Sequence, residues 1–375
     1  MKHRILFAIS TLLIATLACG TEAPDPINPA QIIPPPEISV FDTEKTAYGF
    51  FPTPSEVSVE SVLRTMKNIG EHADTALFQQ EIPWADFIES PDADSKKLED
   101  LRGMVGLAVG NGLEPIFIVD PLNGLNRREF MGLPPELADG NFGTPEIRSA
   151  YKNYALRLVR EFNPRYIGLA SEINTYMDAH PDDVDNYLSL YRETYAAIKA
   201  ESPETQVFVT FQWDDLNNLG PFQDGLEYEI KWEQVEAFEP ELDLWVISSY
   251  LCFFFEEAAN VPDDYYTPLL TRTEKPIAVA EGGCSSIALD IQSGSEKDQV
   301  DYLRAIDSQL GGERLDFWIY LIYNDLNMDS FAPLMEEQGA GDNIAGLSYF
   351  ASLGLVKADG TPKSALAVWD EIRNR

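Results

Sequence analysis

The chain is poor in histidine, cysteine and basic residues, which carry much of metal and phosphate chemistry. Histidine appears three times in 375 residues, and only His72 and His180 lie beyond the N-terminal apolar stretch. Two isolated histidines in helix and loop segments make a zinc ligand set a poor reading. Cysteine also appears three times, at positions 19, 252 and 284, so no cysteine-rich framework is present. No glycine-rich loop follows the first strand-like run, "YGFFPTPSEVS", which argues against a dinucleotide-binding open sheet. Basic residues are scarce: 27 Lys and Arg stand against 62 Asp and Glu, a formal net charge of −35. A surface this negative repels nucleic acid and anionic lipid, so neither is expected as a partner. Beyond the N-terminus, no apolar run is long enough to span a bilayer.

The first residues, "MKHRILFAISTLLIATLACG", read as an export signal. Lys2 and Arg4 supply the positive start, and Ile5 to Leu17 supply an apolar stretch that is short for a membrane span. The end of this stretch resembles a bacterial lipobox, in which Cys19 becomes the lipidated N-terminus. Leu17 and Thr16 depart from the usual lipobox residues, and an ordinary cleaved signal is the competing reading. Residues 1–18 are therefore expected to be removed, and the chain to be extracytoplasmic, held to the cell envelope by its lipid or secreted. Residues 19–45 read as a tether: "TEAPDPINPAQIIPPPE" carries six prolines and neither a helical nor a strand period. Residues 46–375 form the folded part, expected to act as a monomer.

From residue 46 onward, short apolar runs alternate with amphipathic ones. "TAYGFFP", "DTALFQQEIPW", "EPIFIVDPL", "RYIGLASEIN", "QVFVTFQWDDL", "LDLWVISSYLCFFF", "KPIAVAEGGCSS" and "LDFWIYLIYND" read as strands, each followed by a helical segment. The strands are continuously apolar, as parallel strands covered on both faces are. The helical segments carry a period of 3.6, with Tyr187, Leu190, Tyr191, Thr194 and Ile198 on one face. Eight such repeats predict an α/β fold, a (β/α)8 barrel in one domain. In such barrels, chemistry sits where the strands end.

Two strand ends carry a carboxylate after an apolar run: Glu172 in "YIGLASEIN" on strand four, and Glu281 in "KPIAVAEGG" on strand seven. A charge at the rim of a core needs a partner, a ligand or a role. Strands four and seven face each other across a barrel mouth. If these acids are a retaining glycosidase pair, their carboxyl groups stand about 5–5.5 Å apart. The competing role for each is pairing with an arginine or capping a helix. Gln80 and Glu81 after strand two, and Asp214 after strand five, are further polar groups at strand ends.

This arrangement resembles the large clan of barrel glycoside hydrolases that includes the endo-galactanases, mannanases and cellulases. The resemblance runs the length of the barrel, to the ending "GLVKADGTPKSALAVW". It implies Glu172 as acid/base, Glu281 as nucleophile, a carbohydrate substrate and no cofactor. It also implies that Tyr250 in "VISSY" hydrogen-bonds the nucleophile and that Trp318 or Tyr320 floors the sugar site. The clan usually has Asn before the acid/base; this chain has Ser171, which alters contact with the sugar 2-hydroxyl. Trp84 and Trp213, like the other aromatics at strand ends, are candidate sugar platforms.

Two other readings stand beside this one. The chain is a barrel that binds glycans without cutting them, or Asp120, Glu172 and Asp214 hold magnesium as in enolase-like barrels. No lysine base at a matching strand end and no capping domain accompany the latter. Finally, Cys252 and Cys284 fall near the ends of neighbouring strands, and an exported chain meets oxidising surroundings. A disulfide between them requires Cα atoms within about 7 Å; otherwise they are two small buried residues.

Overall fold

The computed structural model describes residues 45–219, 229–290, 292–312, 314–337 and 340–375. The export signal, Cys19 and the proline-rich tether up to residue 44 lie outside the described residues.

Eight parallel strands form the centre: β1 Ala47–Phe51, β2 Thr75–Glu81, β3 Glu114–Asp120, β4 Tyr166–Gly168, β5 Gln206–Gln212, β6 Trp245–Ser249, β7 Ile277–Gly282 and β8 Leu315–Ile322. Strand β5 is broken at Val209 into two pieces, Gln206–Phe208 and Thr210–Gln212. The first piece pairs with β4 and the second with β6, so the ring closes through this one strand. The longest register is β2 on β3, from Thr75 opposite Glu114 to Glu81 opposite Asp120.

The helices that follow the strands are α1 Val59–His72, α2 Lys96–Gly110, α3 Pro145–Phe162, α4 Val184–Glu201, α5 Trp232–Glu236, α6 Thr267–Arg272, α7 Glu296–Leu310 and α8 Ser364–Arg373. Their starts are written locally. Ser58, Ser95 and Ser295 each accept the backbone N–H three residues on, opening α1, α2 and α7. Each such cap is worth about 1 kcal/mol. Pro145 opens α3, where its missing N–H costs nothing. The face of α4 carrying Tyr187, Leu190, Tyr191, Thr194 and Ile198 is the buried one. Helices α5 and α6 are only five and six residues long.

The interior of the ring is a packed core. Phe317 on β8 reaches across to Tyr166 on β4 and Phe208 on β5, with ring centroids 5.1 and 5.8 Å away. Side chains alternate along a strand, so residues next to Phe317 point outward. Trp318 accordingly meets Trp369 of α8 at 5.4 Å, and Tyr320 meets Tyr302 of α7 at 5.9 Å.

Candidate functional site

At the end of β4 the chain turns sharply. Glu172 adopts φ 49°, ψ 43°, a left-handed conformation that non-glycine residues rarely take. Such strain, of order 1–3 kcal/mol, persists only where surroundings hold it. Here the Thr210 hydroxyl accepts the Glu172 N–H at 2.7 Å, and the Glu172 carbonyl accepts Thr175 N–H at the start of the helix Ile173–Ala179. The turn brings the Glu172 carboxylate to β6 and to the hairpin that follows β3. Its Oε2 accepts Arg127 Nε at 3.1 Å and its Oε1 accepts the Ser248 hydroxyl at 2.5 Å.

Arg127 comes from outside the barrel ring. The residues after β3 form a small hairpin, Leu122–Asn123 with Asn126–Phe130, and Arg127 leaves its second strand. The guanidinium is fully buried. Besides Glu172 it donates through Nη1 to Asp120 Oδ2 at 2.5 Å, at the end of β3. Asp120 also accepts Gln79 Nε2 at 2.5 Å and Leu122 N–H at 3.2 Å. Burying these charges is tolerable because each is paired and hydrogen-bonded.

Glu281, at the end of β7, is held differently. Its register partner on β6 is Ser248, whose hydroxyl donates to Glu172. The two acids therefore share one end of the barrel. Tyr250 Oη donates to Glu281 Oε1. Glu281 Oε2 is buried and has no hydrogen-bond partner among the described residues. Burial pushes the Glu281 carboxyl well above its usual range, and the charge of Glu172 pushes the same way; Arg127 and the Tyr250 hydroxyl oppose them. Gly282 explains how β7 comes so close to β6. A Cβ there would stand 2.4 Å from the Ser249 carbonyl oxygen and 2.2 Å from the Tyr302 hydroxyl.

Two further features fix Tyr250. Cys252 and Cys284 form a disulfide with Cα atoms 5.4 Å apart, tying the segment after β6 to the segment after β7. Asp214, fully buried after β5, accepts Tyr250 N–H at 3.0 Å, Tyr265 Oη at 2.5 Å, Gln212 Nε2 at 3.1 Å and the Ser249 hydroxyl at 3.3 Å. Burial raises its carboxyl to about 6 despite these donors. The Tyr250 ring packs edge-on against Phe253 and Phe350, at 6.1 and 5.6 Å.

The other residues singled out in the sequence fall elsewhere. Trp318 and Tyr320 point into the helix layer, away from the acids, because β8 presents Phe317 inward. Tyr320 donates to the Leu353 carbonyl and so closes the barrel wall. The expectation that either floors a sugar site is corrected. Trp84 is buried under the hairpin, stacked edge-on with Phe130, its indole N–H given to the Met131 carbonyl. Trp213 is fully buried among Trp232, Tyr265 and Tyr266. Neither indole has a face exposed for stacking, so both are corrected as sugar platforms. Ser171 is buried, its hydroxyl 3.3 Å from that of Thr210. His72 pairs with Asp370 at 2.8 Å and His180 Nε2 with the Arg128 carbonyl at 2.7 Å.

The magnesium reading does not fit this geometry. Arg127 stands between Asp120 and Glu172, and Asp214 is turned to Tyr250 and Tyr265. Among the described residues no three His, Cys, Asp or Glu side chains are placed to share a metal ion. Arg127, Ser248, Gln79 and Phe350 were not found from the sequence. The signal for Arg127 was indirect: acids gathered at one barrel end require a cation.

The same fold recurs in solved structures. An exo-β-1,4-mannosidase from Opitutaceae bacterium strain TAV5 superposes with a TM-score of 0.63 at 15% identity, over 87% of this chain and 58% of that one. The chain thus spans little more than half the length of that mannosidase. A GH5_18 protein from Bifidobacterium longum subsp. longum, in complex with Manβ1-4GlcNAc, gives 0.62 at 17% identity, over 88% of this chain and 78% of that one. A GH5_18 protein from Streptomyces cattleya, bound to the same disaccharide, gives 0.61 at 16% identity, over 88% and 81%. The chain has the barrel fold of the GH5 glycoside hydrolases. No protein-family model matches the sequence, and no curated protein matches it.

Proposed function

We propose that the chain is a retaining glycoside hydrolase acting on a β-linked oligo- or polysaccharide, with Glu281 as nucleophile and Glu172 as acid/base. The observation that carries this reading is Glu281 itself. One of its oxygens is fixed by Tyr250, and the other is buried without a partner beside a second carboxylate. A buried polar atom without a partner is costly unless a ligand meets it. In a retaining enzyme that atom attacks the anomeric carbon. Glu172 first protonates the leaving oxygen and then activates water to release the sugar. The neighbouring structures make β-mannosides, including Manβ1-4GlcNAc, the first substrates to test.

The experiment is a release assay over β-mannosides and other β-linked sugars, with the parent, Glu281→Gly and Glu172→Ala. Glu281→Gly should abolish turnover. Glu172→Ala should spare activated aryl glycosides, whose leaving group needs no proton, and lose the natural linkage. Near-parental rates in both variants contradict the assignment.

A second reading has its own observation. Glu172 is engaged by both Arg127 and Ser248, which suits a site that binds a glycan and leaves it uncut. Binding of a β-linked oligosaccharide without release of product supports that reading.

We also infer that residues 1–18 are an export signal and that Cys19 carries a lipid anchoring the barrel to the cell envelope through the tether of residues 19–45. Cys19→Ala should leave the membrane fraction or stay unprocessed. An unchanged N-terminus and fractionation contradict the anchor.

A further inference from the structure

Gln79, near the end of β2, carries a second buried oxygen that lacks a donor, as Glu281 Oε2 does. Side chains alternate across the barrel wall along β2. Phe78 stacks on Phe117 with ring centroids 5.8 Å apart, and Phe117 meets Phe162 of α3 at 5.0 Å, so Phe78 faces the helix layer. Gln79 therefore faces the interior, where it is 3% exposed. Its Nε2 donates to Asp120 Oδ2, an oxygen that also accepts Arg127 Nη1. Arg127 donates in turn to Glu172, so an unbroken run of hydrogen bonds joins Gln79 to the proposed acid/base. The contact with Asp120 fixes which end of the amide is which. A carboxylate oxygen that accepts from a guanidinium has no hydrogen to give, so the amide turns its NH2 toward it. The other end, Oε1, is buried and has no hydrogen-bond partner among the described residues.

A buried acceptor without a donor is costly unless a ligand brings one. That ligand must offer an O–H or N–H, because an amide oxygen can only accept. Sugar hydroxyls are such donors. We propose that Gln79 is a substrate-binding residue whose Oε1 accepts one hydroxyl of the sugar unit presented to Glu281. The proposal rests on the reading that a β-linked sugar enters this end of the barrel, but it does not require that the sugar be cut. Asp120 anchors the amide, so the acceptor is in place before the sugar arrives. It then reads configuration: a hydroxyl of one configuration reaches Oε1, and that of the epimer points away. A sugar without that hydroxyl leaves the acceptor unpaired again, which is how a polar site rejects an analogue that lacks a donor. A glutamine that only braced Asp120 would treat every sugar alike.

The test is a double cycle of variant against substrate. The probes are the 4-nitrophenyl β-mannoside, β-glucoside and β-galactoside, with the 2-, 3-, 4- and 6-deoxy analogues of whichever is cleaved fastest. In the parent, removing one particular hydroxyl should lower kcat/KM about tenfold or more. Gln79→Met, which keeps the length of the side chain and removes the acceptor, should lower kcat/KM on the full sugar by a similar factor. On that one deoxy analogue the two losses should not add, because the contact is already gone. Gln79→Asn, which keeps the amide and draws it back, should show the same selectivity and carries the test if Gln79→Met does not fold. Equal losses on every sugar of the panel, or no loss on any, overturn the proposal. Absence of turnover on all the probes counts against the proposed hydrolase. The same cycle is then read in Kd for the methyl β-glycosides and their deoxy analogues by calorimetry. Non-additive losses at one hydroxyl support the Gln79 contact in a barrel that binds without cutting, and absence of binding to every probe overturns it.

Discussion

Tyr250 donates its hydroxyl to one oxygen of Glu281 and leaves the other without a partner among the described residues. That asymmetry is what a nucleophile requires: one oxygen fixes the carboxylate and the other stays available. Hydrogen bonds to charged groups are worth about 1.5–3 kcal/mol, so Tyr250→Phe should lower kcat about 10- to 100-fold. The acid limb of the pH profile should rise, because the hydroxyl favours the ionised Glu281. Steady-state kinetics across pH check both effects.

Asp214 acts one step behind Tyr250. Asp214→Asn sets a side-chain donor against the Tyr250 N–H or the Tyr265 hydroxyl, so kcat should fall with little change in KM. The linkage has a definite sign. The folded-state value is raised from 3.8 to about 6. The stability this group contributes is therefore full below about pH 4 and is lost as pH rises through 6. Urea unfolding of parent and variant should show the stability gap narrowing between pH 4 and 6. A constant gap contradicts the raised value.

The disulfide should matter to both stability and the site. It closes a loop with a sequence separation of 32 residues, for which chain entropy gives about 3–4 kcal/mol. Replacing Cys252 and Cys284 by alanine should lower the unfolding midpoint. It should also slow turnover, since the bridge lies just beyond Tyr250 on one segment and Glu281 on the other. Thiol counting on the unfolded chain should find neither cysteine free.

Aromatic substitutions separate the surroundings of Tyr250 from the barrel wall. Trp318→Ala removes a ring packed between strand and helix, a change that costs about 3–5 kcal/mol, and should leave KM unchanged in whatever folds. Phe350→Ala touches the ring of Tyr250 and should raise KM about three- to tenfold.

This last contrast marks what the sequence could reveal. Continuous apolar runs at regular intervals were enough for eight strands, and a carboxylate after each of two runs was enough to put Glu172 and Glu281 at strand ends on one face of the barrel. Tyr250 followed from the resemblance to the barrel glycoside hydrolases, and the cysteine pair from its place near the ends of neighbouring strands. The orientation of Trp318 and Tyr320 did not follow. A strand covered on both faces shows no polar alternation, so nothing in "LDFWIYLIYND" says which parity points inward. Only the contact of Phe317 with Tyr166 and Phe208 decides it. Arg127 was hidden for another reason: it reaches the acids through a hairpin inside a long loop, and loop conformation has no period to read.

The covalent step gives the most direct test of the account. A 2-deoxy-2-fluoro-β-glycosyl fluoride of a sugar the protein cleaves slows release more than attack, so the glycosyl–enzyme accumulates. Peptide mapping by mass spectrometry should find one added fluorosugar on the peptide containing Glu281, and none in Glu281→Gln. Label on the Glu172 peptide, or turnover of natural substrate with no label anywhere, contradicts the assignment of Glu281 as nucleophile.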